Sequence, residues 1–397
     1  MMTLNVFANL LAGKKAAVTA PVITAPGANV KKRPSRNAVN TGNNWLANTA
    51  KTNGPVAATV YDPSGKPLQL GEKDAKASGG EGTVYTLPCN NKFLVKLYKE
   101  ETLKDPQKMR EIRKRINDMV NLKKCASMPF LAWPLMPVCN SSREVIGFVM
   151  RKCGGNSFMA LRGPKNIQKF FPNADRYFLA KIALDYVRKI KSIAGESVLV
   201  NDFNPANFLV DQNGNVSFID CDSFQIPAGG NSVNISRTYF PSHAAPELLK
   251  NKSLLAHPRN IHQVEFGAAL IVFHILMCGL PPYNYYDPKN RSACGTPDEN
   301  LINGRCPLGT GAGCCLPPGD WYNMWSHLTY NLKSAFIATF REGHSDPAKR
   351  SSLGKLEWEL KVLMDIMEKD PVRKQLIPAT AKPRGDRESK TGFDRDF

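Results

Sequence analysis

The chain has 397 residues, 42% of them hydrophobic, and 53 Lys and Arg against 34 Asp and Glu give it a formal net charge of +19. Its longest apolar stretch, Ala268 to Leu280, is interrupted by His274 and is well short of the roughly 20 residues that cross a bilayer, so no membrane span is expected. The charge favours acidic partners, but no nucleic-acid-binding signature accompanies it, and nucleic acid is not expected as the main ligand.

The opening segment, MMTLNVFANLLAGKK, lacks a basic region ahead of its short apolar patch. It does not read as a secretory signal, and a cytoplasmic protein is expected. Residues 1–70 are rich in Ala, Asn, Pro, Thr and Lys, with Asp62 the only acid. That composition predicts a flexible, basic, low-complexity N-terminal segment. From Gly71, short apolar runs punctuated by Gly and Pro predict a small sheet-rich lobe over 71–152, and longer helical patterns predict a larger helical lobe over 153–370, with a tail over 371–397.

Within the first lobe, the loop Ser-Gly-Gly-Glu-Gly-Thr-Val-Tyr runs from Ser78 to Tyr85. Gly79, Gly80 and Gly82 lack a Cβ, so such a loop can fold closely over phosphates, with Val84 on the strand that follows placed against a base. Phe93 to Tyr98 reads as a strand, and Lys96 interrupts its apolar run 14 residues after Gly82. A cation there could hold phosphates. Asp105-Pro106 marks a helix start, followed by Met109, Ile112, Ile116 and Met119 at helical spacing. Two short strands are expected around 130–138 and 145–150.

In the second lobe, Phe178, Ile182, Tyr186, Ile190 and Ile193 form one stripe, predicting a long amphipathic helix. Then comes Val200 to Val210, V-N-D-F-N-P-A-N-F-L-V, and Asn213-Gly214 as a hairpin signal before F-I-D-C-D-S-F, Phe218 to Phe224. Asp202 and Asn207 are five apart, and Asp220 follows across the turn. Phosphoryl transfer needs a carboxylate to orient or deprotonate the acceptor hydroxyl and oxygen ligands for Mg²⁺, and these three residues would supply them. Residues 283–330 read as an insertion; Cys294, Cys306, Cys314 and Cys315 lie there without a CxxC pair, so free thiols are expected. Trp321, Trp325 and Phe336 are expected to be lobe packing.

These motifs, in this order over about residues 71–360, make the chain resemble the protein kinase superfamily, in particular divergent bacterial eukaryotic-like kinases whose catalytic loop reads GDFNPxN. The resemblance implies an α+β, bilobal protein-kinase-like fold, with a small antiparallel sheet lobe and a larger helical lobe. It implies that Asp202 is the catalytic aspartate and Lys96 the strand lysine, that Gly79, Gly80, Gly82 and Val84 bind the nucleotide, and that Asn207 and Asp220 are metal ligands, with ATP and Mg²⁺ as cofactors. Ala245-Pro246-Glu247 matches the end of an activation segment, and Arg350 is placed to pair with Glu247. Some of Ser232, Ser236, Thr238 and Tyr239 on that segment are expected to be autophosphorylated. The implied function is transfer of the γ-phosphate to a protein hydroxyl, Ser/Thr or Tyr; a pseudokinase scaffold and a small-molecule kinase are the alternatives.

The sequence also departs from the pattern. Ala77 stands at the first loop glycine, Val200-Asn201 at His-Arg, Asn204 at the serine/threonine-kinase lysine, Cys221-Asp222 at Phe-Gly, and His262 at the aspartate that ties down the catalytic loop. Glu111 is the only acidic candidate for a helix partner to Lys96, yet it falls opposite the apolar stripe of its helix.

Overall fold

The structure, a computed structural model, describes residues 59–378 except 72, 79–81, 231, 288, 291 and 310–314. A seven-stranded antiparallel sheet forms the first lobe. Its strands are β1 (Thr59–Tyr61), β2 (Pro67–Gln69), β3 (Lys73–Ser78), β4 (Gly82–Thr86), β5 (Phe93–Tyr98), β6 (Pro134–Cys139) and β7 (Val145–Arg151), in the spatial order β2-β1-β6-β7-β5-β4-β3. Strand alternation divides β5 between two cores. Phe93 and Val95 face Val60, Leu68, Leu87, Val138 and Val149, whereas Leu94 and Tyr98 face Val84, Ile116, Ala132, Phe148 and Met150. Lys96 shares the second face by parity and is paired across the sheet with Val84 on one side and Phe148 on the other.

The hairpin β1–β2 corrects the expected boundary at residue 71. Residues 59–70 are part of the sheet: Asp62 caps the turn by accepting from the backbone N–H groups of Ser64 and Lys66, Gly65 adopts φ 89°, and Val60, Leu68 and Leu70 are buried. Three-residue strands are too short to show a period, which is why composition alone hid them. The rest of the segment, residues 1–58, lies outside the described residues.

Helix α1 (Pro106–Asn121) packs across the sheet with Met109, Ile116 and Met119 buried. Asp105 starts it by accepting from the N–H groups of Gln107 and Lys108, with Pro106 in the first turn, where its missing N–H costs nothing. Trp133 then ties strand to helix by donating its indole N–H to Met119 O at 2.8 Å.

The second lobe is helical, built on α2 (Arg176–Ala194), α3 (Ile261–Leu276), α4 (Tyr330–Phe340) and α5 (Leu353–Lys369). Helix α3 is apolar nearly all round, and twelve of its residues are buried, which makes it the axis of this lobe. Phe273 on α3 packs with Trp321, Trp325, Phe336 and Phe340, so those aromatics are lobe packing as expected. The stretch read as an insertion contributes Tyr283, Leu301, Cys306, Leu308, Trp321 and Trp325 to this core and is integral to it. The lobes join where Ala132 donates to Phe218 O at 2.9 Å and Phe218 donates to Phe130 O at 2.8 Å. No helix among the described residues is long and apolar enough to cross a membrane.

One buried ion pair spans the helical lobe. Arg350 grips Glu247 with both terminal nitrogens, at 2.9 and 2.7 Å, and donates further to the carbonyls of His262 and Gly343. Its side chain is fully buried. Burial favours the neutral acid at Glu247, but the Arg350 guanidinium outweighs it and holds that carboxyl below its ordinary 4.5. Replacing Glu247 with Gln leaves a buried, unpaired guanidinium and should cost about 3 kcal/mol in a chemical-denaturation measurement. The contribution is present above the ordinary glutamate value and is lost as the pH falls through the depressed folded value, so the wild-type and variant stability curves should converge in acid.

Candidate active site

Four segments bring charged and polar side chains to the junction of the lobes. Strand β5 supplies Lys96, which is 8% exposed. After α2, the chain runs through Val198 and Val200, both buried, into an irregular loop carrying Asp202 and Asn207. A hairpin of β8 (Phe208–Val210) and β9 (Val216–Phe218) then returns the chain to Asp220. The expected Asn-Gly turn is present as part of a longer connection, in which Asp211 accepts from the N–H groups of Asn213 and Asn215 and Gly214 takes φ 81°.

Asp202 is held by its own loop. Its carboxylate accepts from the Asn204 N–H at 3.2 Å and from the Asn207 amide at 3.1 Å, while the Asn204 side chain turns inward to accept from the Ala206 N–H. Burial raises the Asp202 carboxyl above the ordinary aspartate value, helped by the nearby Asp220 and opposed by those two hydrogen bonds. Asn207 also accepts at its carbonyl from the Ile219 N–H at 2.9 Å, fixing the loop to the strand end that precedes Asp220.

Asp220 sits in the left-handed region at φ 58°, ψ 37°, which aspartate tolerates better than most residues. A tight turn follows, with Ser223 donating N–H and Oγ–H to Asp220 O. This turn aims two carboxylates at Lys96. Nζ donates to Asp220 Oδ1 at 2.6 Å and to both oxygens of Asp222 at 2.9 Å, and Tyr98 Oη adds a bond to Asp222 at 3.1 Å. Burial pushes the Lys96 ammonium towards deprotonation, but the Asp222 and Asp220 charges prevail and hold its pKa above the ordinary lysine value. Asp222, its side chain largely buried, is held below the ordinary carboxylate range by Lys96, against its own desolvation.

Of the nucleotide-binding positions read from the sequence, Gly79 and Gly80 lie outside the described residues. Gly82 begins β4, where an added Cβ would meet Leu97 O at 2.7 Å, so the close strand approach requires glycine. Val84 is buried beside Lys96. Glu111 is exposed on the outer face of α1, and the carboxylates on Lys96 come from Asp220 and Asp222 instead. What α1 sends to the site is Arg115, which donates to the carbonyls of Asp222 at 3.3 Å, Phe224 at 2.6 Å and Ile235. Sequence reasoning missed both Asp222 and Arg115. A second aspartate two residues after Asp220, on a turn, was the available signal for the first.

The loop of Asp202 is not anchored by His262. His262 bonds Glu265 at 2.9 Å, and its position on α3 is used through its carbonyl by Arg350. The loop rests instead on Gly267 of α3, where the Phe203 ring lies so close that a Cβ would fall 2.3 Å from it. Behind the loop, Leu199 and Gln225 exchange backbone hydrogen bonds at 2.9 Å, and the Gln225 amide clamps Arg259 N–H and C=O.

No protein-family model matches the chain. Over 228 residues, 57% of its length, the chain is 27% identical to "Protein kinase YegI" of Escherichia coli O157:H7, and over 227 residues it is 26% identical to the protein of that name from strain K12. It spans 34% of the length of each of these relatives. Among solved structures, the ROP18 kinase domain in complex with AMP-PNP and sucrose superposes with a TM-score of 0.51 at 13% identity, covering 79% of this chain and 86% of that one. At that identity the likeness is one of fold.

Substituting Gly267 with Ala should lower stability by about 1–3 kcal/mol through overpacking. Because the displaced ring is next to Asp202, the loop should loosen with it, visible as faster amide hydrogen exchange over residues 201–207 than over α2.

Proposed function

We propose that the chain is a divergent member of the protein-kinase-like superfamily and an ATP- and Mg²⁺-dependent protein kinase transferring the γ-phosphate to a protein hydroxyl. The observation that carries this reading is the convergence of a buried lysine with Asp202, Asn207 and Asp220 at the lobe junction. The donor set fits the magnesium complex of a nucleotide: hard carboxylate and amide oxygens on one side, a buried ammonium on the other, and an Asp220 side chain 42% exposed and open to exchange. When bound, the metal ion would neutralise charge on the phosphates.

In this reading Lys96 grips the phosphates, and the Gly79–Gly82 loop and Val84 enclose the nucleotide. Asn207 and Asp220 are the residues that would hold the metal. Asp202, fixed by two hydrogen bonds, orients the acceptor hydroxyl and takes its proton as the oxygen attacks phosphorus in line and the bond to the leaving oxygen breaks. The names of the curated relatives favour a protein over a small-molecule acceptor, and the charge of +19 favours acidic segments in it. Asn204 is engaged in capping its own turn, which leaves Ser/Thr against Tyr to phosphoamino-acid analysis. We assign the reaction to the cytoplasm, where ATP is abundant.

Incubation of wild-type and Asp202→Asn protein with labelled MgATP and a mixed protein acceptor tests this directly. Transfer, including any onto Ser232, Ser236, Thr238 or Tyr239, should fall at least about 10²-fold in the variant. Equal phosphate content by intact-mass spectrometry would sink the proposal. A nucleotide-binding scaffold is the second reading, favoured by Asp222 at a position where the superfamily pattern has glycine. A thermal shift with MgATP and no transfer from wild type would select it.

The raised Asp202 carboxyl also predicts a pH profile. Transfer should be lost as the pH falls through that value, placing the acid limb above the ordinary aspartate value of 3.8. An acid limb at or below 3.8 would assign the titration to another group.

A further inference from the structure

We propose that Asp222 is the positioning residue for Lys96, standing in for the missing helix carboxylate, and that Asp220 is the lysine's exchangeable partner, released when phosphates arrive. This rests on the nucleotide reading above, and it separates two carboxylates that the sequence sets only two residues apart.

The two contacts differ in kind. Asp222 meets the ammonium with both oxygens at 2.9 Å, has a side chain 7% exposed, and is itself steadied by Tyr98 Oη. Asp220 meets it with one oxygen, at 2.6 Å, from a side chain 42% exposed. A buried, two-point contact that is further hydrogen-bonded has no solvent to compete with it, whereas a one-point contact at the solvent edge can be traded for another anion. The anion that Lys96 would accept in trade is a nucleotide phosphate. On that exchange the Asp220 carboxylate gives up its contact with Lys96 and can turn towards a divalent cation, so nucleotide entry and the turning of Asp220 are linked.

Helix α1 is attached to this arrangement from the other side. Arg115 binds the backbone of Asp222 and Phe224 and reaches Ile235, and Asp118 accepts from the Asn234 amide. The helix therefore fixes the turn that carries Asp222 and the segment beyond it, while the exposed Glu111 takes no part. Lys96 is thus set by the turn itself rather than by a swing of the helix.

A double-mutant cycle on nucleotide-free protein tests the assignment of partners. Lys96→Met, Asp222→Asn, Asp220→Asn, Glu111→Gln and the paired variants with Lys96→Met are compared by thermal midpoint. The Lys96/Asp222 pair should be strongly non-additive, the Lys96/Asp220 pair weakly so and Lys96/Glu111 additive. Equal coupling for Asp220 and Asp222, or additivity for Asp222, overturns the proposal. Calorimetric binding of ADP, with and without Mg²⁺, then tests the role. Asp222→Asn should weaken metal-free ADP at least tenfold, and Tyr98→Phe should do so to a smaller extent. Unchanged metal-free binding with a raised Mg²⁺ requirement would make Asp222 a metal ligand and overturn its positioning role. If the wild-type protein binds no ADP at all, the nucleotide reading fails and the exchange of Asp220 for phosphate fails with it, while the cycle still decides which carboxylate holds Lys96.

Discussion

A lysine ammonium placed inside a protein is tolerable only where carboxylates surround it, and the site of this chain is organised by that requirement. Lys96 comes from the middle of a sheet, between Val84 and Phe148, with only 8% of its surface exposed. Its partners come from a turn more than a hundred residues later, in the other lobe. One buried charge therefore ties the sheet to the hairpin that precedes Asp220, and the geometry of the turn at Asp220, left-handed and closed by Ser223, is what puts two carboxylates on the same ammonium.

Around that centre, backbone contacts and packing do the holding that the resembled pattern gives to side-chain pairs. Arg115 holds three carbonyls, where a glutamate on the same helix would have addressed the lysine. Phe203 lies against Gly267, where an aspartate would have bonded the loop. The Arg115 contacts reach only carbonyls and are indifferent to the side chains of the residues they hold, so the segment from Asp222 to Ile235 can vary in sequence without losing that anchorage. The buried pair of Glu247 and Arg350 closes the other end of that segment.

Much of this was legible in the residues. The strand around Lys96, the start of α1 at Asp105-Pro106, the stripe of α2 and the hairpin before Asp220 each rest on a local signal: alternation, a cap, a helical period or a turn residue. Asp202, Asn207 and Asp220 were legible because their spacing is set by one loop and one hairpin. What escaped depends on tertiary neighbours. Three-residue strands such as Thr59–Tyr61 carry no period of their own and are held by pairing to each other and to β6. The choice of Asp222 over Glu111 depends on which carboxylate the fold buries, and the chain from Tyr283 to Trp325 shows its place in the core only once α3 is there to receive it.

Glu247 and Arg350 are 103 residues apart in sequence. During synthesis the glutamate emerges long before its guanidinium, and closing so long a loop early has no local contact to reward it. The segment ending at Glu247 must therefore wait, unclamped, until most of the helical lobe has left the ribosome. The loop of Asp202 and the turn at Asp220 come first and Arg350 well after them, so the helical lobe gains its Glu247–Arg350 clamp late in its folding.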